Sequence, residues 1–100
     1  MMQGDSYYID IVVTDNATNE ALTADELNKV EVAIGKTYIK EAEYDEEKNV
    51  WRAELTQQES FNLPPVAQQV QIRCKYNDGR VIGEDCGMID IDKALSKEVL

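Results

Sequence analysis

Apolar and polar residues alternate along most of this chain, and this period of two is the feature that most limits its fold. The pattern is clearest between Trp51 and Leu55, where every second residue is apolar. Successive side chains of a β-strand point to opposite faces, so alternation predicts strands that bury one face. We therefore expect an all-β protein, with Trp51 as the central filler of its core.

Turn signals divide the alternating stretches into seven predicted strands. They cover residues 7–14, 29–35, 37–44, 50–56, 68–76, 80–86 and 88–92. Seven short strands, turn signals at intervals of about 8–12 residues and no long helix are typical of a β-sandwich. We expect an immunoglobulin-like sandwich over residues 7–92, a disordered segment over residues 1–6 and a C-terminal tail over residues 93–100.

Local signals predict the connections between these strands. Thr23–Glu26 and Thr56–Glu59 match the capping-box pattern, in which threonine and glutamate satisfy each other's backbone N–H groups. Each box predicts one helical turn. Residues 45–49 are a predicted hairpin loop, and Asn49 can adopt the left-handed backbone that such loops need near their ends.

The turn Asn77-Asp78-Gly79 leaves the register of the next strand open. A two-residue turn would direct Val81, Gly83 and Asp85 toward the core. A three-residue turn with a bulge would direct Ile82, Glu84 and Cys86 there instead. Each alternative turns one acidic residue inward, and we favour the second because it buries Ile82 and Cys86.

The residues needed for catalysis or metal binding are scarce. Histidine, the commonest catalytic base and metal ligand, is absent. Cys74 and Cys86 are predicted to be reduced thiols, held too far apart by the hairpin for a disulfide. Glu84 and Asp85 would raise rather than lower the pKa of the Cys86 thiol, which argues against a reactive cysteine. We predict a non-enzymatic protein without catalytic residues, metal or cofactor.

The balance of charge excludes further classes of partner. The chain has 20 acidic and 10 basic residues, a net charge of −10. Such a surface repels phosphate backbones, so direct binding to nucleic acid is not expected. No apolar run approaches the roughly 20 residues that span a bilayer, and the first residues lack the pattern of a signal peptide. We expect no membrane association.

The sharpest surface feature is an acidic segment over the third predicted strand and the hairpin that follows it. The candidate docking surface consists of Glu41, Glu43, Asp45, Glu46 and Glu47, with Tyr38 and Tyr44 beside them. Such a segment can also be a solvated hairpin that protects a sheet edge, or a mimic of nucleic-acid phosphates. Exposed tyrosines often mark surfaces that bind protein or sugar.

Three segments resemble small structural and assembly proteins of phages and prophages of Gram-positive bacteria. They are the run from Tyr44 to Ser60, which contains Val-Trp-Arg-Ala-Glu-Leu-Thr-Gln-Gln-Glu, the segment from Gln69 to Ile82 and the ending from Ile91 to Leu100. The match spans residues 38–100, and the strand Ile9–Asp15 is similar to the first strand of phage baseplate and tail modules. The resemblance implies a virion-associated or virion-assembly protein with a β-sandwich fold, and it carries no catalytic residue.

The residues and the resemblance together predict a structural or assembly protein of a phage head or tail that acts by protein–protein docking. Its expected partners are other phage structural proteins, with self-association left open. We expect it in the host cytoplasm during assembly, and the finished virion is left open as a second location. The alternatives are a ligand-binding module of the carbohydrate-binding type and an acidic DNA-mimic inhibitor.

Overall fold

Six strands form one curled antiparallel sheet in the computed structural model, which describes residues 1–100. The strands are β1 (Tyr7–Ile11), β2 (Leu27–Ile34), β3 (Tyr38–Asp45), β4 (Val50–Leu55), β5 (Gln68–Tyr76) and β6 (Val81–Ile89), and the one helix is α1 (Gln57–Phe61). Their order across the sheet is β1-β4-β3-β2-β5-β6. The prediction of a mostly β protein is confirmed. The structure contains no helix long and apolar enough to cross a bilayer.

The strand count differs from the prediction of seven. Residues 80–86 and 88–92 were expected as separate strands, but residues 81–89 form the single strand β6 and residues 90–92 lie beyond its end. Gly87 joins them with a φ of 91°, a conformation that glycine adopts without steric cost. The register against β5 shifts at this point, between Gln69 and Gln71, so the extra residue forms a bulge and pairing continues past it.

The core consists of alternate residues of the strands, as the sequence predicts. Val30, Val32 and Ile34 of β2 are buried, and so are Trp51, Ala53 and Leu55 of β4. Leu63 and Ile91, which lie outside the strands, complete the same cluster. Trp51 is only 5 % exposed, which confirms its predicted place in the core.

After the Asn77–Gly79 turn, β6 has the register that we favoured, with Ile82 and Glu84 directed inward. The expectation that this register buries Ile82 and Cys86 is wrong. Ile82 lies opposite Cys74 and Glu84 opposite Ile72, so Ile82 and Glu84 share the inner face of the sheet. Ile82 is nevertheless 50 % exposed, and Cys86 is exposed as well. The reason is that β6 lies at the end of the sheet and no other element covers its inner face.

The N-terminal segment, for which the sequence predicts disorder, makes defined contacts. Gln3 is buried, and its side-chain amide donates to the Leu63 carbonyl oxygen at 2.8 Å. Its side-chain oxygen accepts hydrogen bonds from the Ala94 N–H at 3.3 Å and from Lys97 Nζ at 2.7 Å. One side chain therefore connects the N-terminal segment to the segment after α1 and to the C-terminal tail. Ala94, within that predicted tail, is also buried.

One of the two predicted capping boxes is complete and the other is half-formed, because the Thr23 hydroxyl accepts from the Asp25 N–H and not from the Glu26 N–H. Thr56 and Glu59 form a complete capping box, and α1 begins immediately after Thr56. At the other site the Glu26 carboxylate accepts from the Thr23 N–H at 2.8 Å. There the chain makes only a single turn, because Leu27 already begins β2. Asn49 has the expected left-handed backbone, with a φ of 56°.

Candidate functional site

The acidic segment lies in a shallow depression at the place where β3 and β4 separate. The two strands pair only near their hairpin, from Asp45 opposite Val50 to Glu43 opposite Arg52. The first part of β3, which begins at Tyr38, pairs with β2 and not with β4. The depression between the diverging strands has a volume of about 810 Å³. It is lined by Tyr8, Lys40, Glu41, Glu43, Tyr44, Asp45, Glu46, Glu47, Arg52 and Glu54.

Six of the seven predicted docking residues line this depression, and Tyr38 does not. Tyr38 is 3 % exposed, because it occupies an inner-face position of β3 opposite Ile34. Its inclusion in the docking surface is therefore wrong. Tyr44 is half-buried, with its ring centroid 5.2 Å from that of Trp51. Tyr38 thus belongs to the core, whereas Tyr44 lines the depression and packs against Trp51.

Side chains of β3 fix the separation of the two strands. The Tyr38 hydroxyl and Lys40 Nζ both donate to the main-chain oxygen of Glu54, at 2.7 and 3.0 Å. Lys40 Nζ also donates to Glu59 Oε1 at 2.7 Å. These bonds satisfy a β4 carbonyl beyond the end of the β3–β4 ladder, so the strands can diverge without leaving a buried polar group unpaired.

Arg52 connects three strands at the rim of the depression. Its Nε and Nη2 atoms donate to the two carboxylate oxygens of Asp10 at 2.8 and 3.2 Å. Its Nη1 lies 3.8 Å from Asp45 Oδ2, and its guanidinium lies 4.7 Å from the centre of the Tyr8 ring. The hydrogen bond from Arg52 lowers the pKa of Asp10. These contacts of Arg52 join β1 to the β3–β4 hairpin. The positive charge of Arg52 is therefore already paired with carboxylates of the same chain.

Negative charge in the depression is largely unneutralised. Six of its lining residues are acidic and two are basic. Both basic side chains are engaged in ion pairs, Arg52 with Asp10 and Asp45, and Lys40 with Glu59. Glu43, Glu46 and Glu47 are exposed and form no ion pair with any residue of the chain. A cationic partner could therefore pair with them without breaking an existing contact.

Neither the turn that begins at Asp15 nor the two cysteines add a second chemical centre. Asp15 Oδ1 accepts from the N–H groups of Ala17 and Thr18, at 2.8 and 3.4 Å, as expected of a turn. No group of three or more histidine, cysteine or acidic residues is placed to hold a metal ion. Cys74 and Cys86 are free thiols. Partial burial, followed by the charges of Glu84 and Asp85, raises the pKa of Cys86.

Sequence reasoning missed four members of the depression: Lys40, which directly precedes Glu41, and Tyr8, Arg52 and Glu54, which lie on other strands. Tyr8 and Arg52 become neighbours because β1 pairs with β4, which places Tyr8 opposite Glu54. Nothing in the local pattern of either strand indicates this pairing. Lys40 carried a signal, since it lies directly before Glu41, but its partner Glu59 lies 19 positions away.

Comparisons with protein-family models, with curated proteins and with solved structures found no match to this chain. The function assigned to the depression therefore depends on its own charges and contacts, together with the resemblance of residues 38–100 described above.

The environment of Tyr38 makes the stability of this site sensitive to alkaline pH. Burial, together with the charges of Glu59 and Glu54, raises the pKa of Tyr38 from 10.0 to about 12. Because the folded state holds this proton more tightly, the stabilisation is complete below pH 10 and is lost as the pH rises through about 12. We expect Tyr38→Phe to lower the free energy of unfolding by about 1 kcal/mol at neutral pH. The variant should not show the loss of stability at alkaline pH.

Urea denaturation from neutral pH to about pH 12 measures both effects, with Tyr8→Phe as the exposed control. The difference in free energy of unfolding between wild type and Tyr38→Phe should shrink as the pH rises above 10, while Tyr8→Phe should follow wild type. A constant difference for Tyr38→Phe across this range would show that Tyr38 does not hold its proton more tightly in the folded protein.

Proposed function

We propose that this protein is a non-enzymatic structural or assembly protein of phage or prophage particles, and that it acts by docking onto other virion subunits. The observation that carries the proposal is the acidic depression, in which exposed carboxylates without ion-pair partners lie on β3 and on the β3–β4 hairpin turn. The phage resemblance covers residues 38–100, which include β3, β4 and all five predicted acidic residues. The proposed partners are phage structural proteins with a cationic surface.

The composition of the depression favours a protein partner. Complementary charge accelerates encounter and sets orientation, and rim charges act mainly on the rate of association. Exposed Tyr8 lies beside Arg52, and tyrosine and arginine are both enriched where proteins bind each other. A phosphate backbone would be repelled by the same carboxylates. The depression is shallow and five of its six acids are exposed, which suits docking better than catalysis.

We further propose that the curled sheet is a form of immunoglobulin-like sandwich. β3 pairs with β2 through Tyr38–Ala42 and with β4 through Glu43–Asp45, so it can pass from one layer to the other. Buried side chains of β2 and β4 belong to one core cluster, as facing layers require. The proposed location is the host cytoplasm during assembly, with the virion as the final destination of the docked protein.

The carbohydrate-binding alternative has less support, because it needs exposed tyrosines on one surface. Tyr38 is buried and Tyr44 is half-buried against Trp51. The half-buried ring of Tyr76 is covered by the Arg80 guanidinium at 4.6 Å. The DNA-mimic alternative needs surface acids with a phosphate-like spacing, whereas the acids here are clustered at one hairpin and the end of β3.

Neutralising the unpaired acids should impair particle assembly. In a lysogenic strain that carries the gene, we expect the triple variant Glu43→Gln, Glu46→Gln and Glu47→Gln to lower the yield of infectious particles about tenfold, because the charge that orients the partner is lost. The matched control, Glu20→Gln, Asp90→Asn and Glu98→Gln, removes the same charge at exposed positions outside the depression. Equal yields from the two triple variants would contradict the assignment of this surface.

A further inference from the structure

The strand β6 ends the sheet, and its inner face is uncovered. It pairs with β5 along one edge, and no strand pairs with its other edge. Eight of its nine residues are exposed, including Ile82 at 50 % and Met88 at 64 %. Edge strands are commonly protected by charged side chains, proline or a β-bulge, and β6 has Glu84, Asp85 and the bulge at Gly87 but no lysine or proline.

A groove of about 1000 Å³ extends along this uncovered face. One wall is formed by inner-face residues of β5 and β6, among them Ile72, Cys74 and Ile82. The opposite wall is formed by residues 11–17, which continue from β1, and by Leu22. The groove thus lies where the curled sheet remains open, and most of its lining residues are apolar.

The charges in the groove indicate the chemistry of what fills it. Its lining includes four acidic residues and one basic residue, Arg80, which is already paired with Asp78 at 2.8 Å. Glu84 lies between Ile82 and Cys86 along β6 and forms no ion pair with any residue of the chain. Covering this carboxylate with apolar atoms alone would remove its water without compensation, which is strongly unfavourable. An occupant must therefore bring a cation to Glu84.

The negative charge of Glu84 also argues against a second copy of this chain as the occupant of the groove. Antiparallel pairing of β6 with its own equivalent would bring the acidic centre of the strand, Glu84 and Asp85, close to the same residues of the other copy. Like charges opposite each other destabilise strand pairing, and each chain already carries a net charge of −10. Self-pairing through this edge is disfavoured, whereas a basic segment is attracted.

We propose that this groove binds an extended segment of a different protein, which adds to the sheet as a strand beside β6. Its alternate side chains are apolar and cover Ile82 and Cys86, and a lysine or arginine among them pairs with Glu84. Main-chain hydrogen bonds to the free edge of β6 supply affinity, and the inward side chains supply specificity. The groove and the acidic depression share no residue, so this binding does not depend on the proposed function.

The N-terminus offers a means of testing this with a defined probe. The Met1 amino group donates to the Asp90 oxygen at 3.0 Å, next to the end of β6. A probe of sequence Thr-Val-Thr-Lys-Thr-Val-Thr can be fused there through a Gly/Ser linker of about 20 residues, which spans about 25 Å. The fusion gives the probe a high effective concentration at the groove. A matched probe carries Glu in place of Lys, and a third carries Pro at its third and fifth positions.

Alkylation of Cys86, followed by peptide mass spectrometry, measures occupancy of the groove in the folded protein. We expect the lysine probe to slow alkylation about tenfold relative to the unfused chain, and the glutamate and proline probes to protect little. In the Glu84→Gln background, the lysine and glutamate probes should protect Cys86 to a similar extent. Far-UV circular dichroism checks that every variant is folded.

Three results would overturn the proposal. The first is no protection of Cys86 by the lysine probe, and the second is equal protection by the lysine and glutamate probes in the wild-type background. The third is protection in the unfused chain that rises with protein concentration, together with a dimer in light scattering, which would identify a second copy as the occupant.

Discussion

Replacing Trp51 with alanine is expected to lower the free energy of unfolding by about 3–5 kcal/mol. The indole is 5 % exposed and packs against Tyr44, so its removal leaves a large cavity in the centre of the core. Its Nε1–H donates to the Leu22 main-chain oxygen at 3.2 Å, which ties the segment before β2 to β4. The substitution removes both the packing and this hydrogen bond.

Urea denaturation followed by far-UV circular dichroism measures this loss, since the variant lacks the only tryptophan of the chain. Trp51→Phe is the informative companion variant, because it keeps an aromatic ring while removing the hydrogen bond to Leu22. We expect the free energy of unfolding of Trp51→Phe to lie between those of wild type and Trp51→Ala. A midpoint that is unchanged in Trp51→Ala would show that the indole lies outside the core.

The second large effect is expected at Gln3, a polar residue near the chain terminus. Gln3→Ala should cost about 2–4 kcal/mol, because the Leu63 oxygen and the Ala94 N–H would each lose a hydrogen-bond partner in a buried region. Lys97 would also lose the oxygen that its ammonium group contacts at 2.7 Å. The substitution therefore loosens two distant segments at once.

The matched control for this variant is Gln58→Ala, which changes an exposed glutamine of α1 that forms no side-chain hydrogen bond. Thermal and urea denaturation should show Gln58→Ala close to wild type and Gln3→Ala clearly less stable. If Gln3→Ala were within about 0.5 kcal/mol of wild type, the N-terminal segment would behave as the disordered segment that the sequence predicts.

Local sequence patterns predicted the strands well because the alternation of apolar and polar residues is visible within each strand alone. The alternation around Trp51 and around Val32 reflects burial of one face, which is a property of the individual strand. The number of strands was wrong because a glycine near the end of an alternating stretch is typical of both a break and a bulge. Gly87 forms a bulge, and only the pairing partner β5 distinguishes the two.

Properties that depend on several strands together were not predictable. The sequence placed Ile82 and Cys86 on the correct face, but it does not show that β6 ends the sheet and leaves that face open. For the acidic depression, five of the six acids lie close together within residues 41–47 and were found directly. Tyr8 entered through the pairing of β1 with β4, and Arg52 entered through its position opposite Glu43 in the β3–β4 pair. Tyr38 was wrongly included because β3 alternates less clearly than its neighbours.

The most direct test of docking onto virion subunits is the position of the protein in gradient fractions after prophage induction in a strain that carries the gene. Quantitative mass spectrometry of those fractions measures how much of it sediments with particles or assembly intermediates. We predict that a substantial share sediments with them and that this share falls in the Glu43, Glu46 and Glu47 triple variant. Recovery of all the protein as the free 11.3 kDa chain, with normal particle yield, would contradict this account.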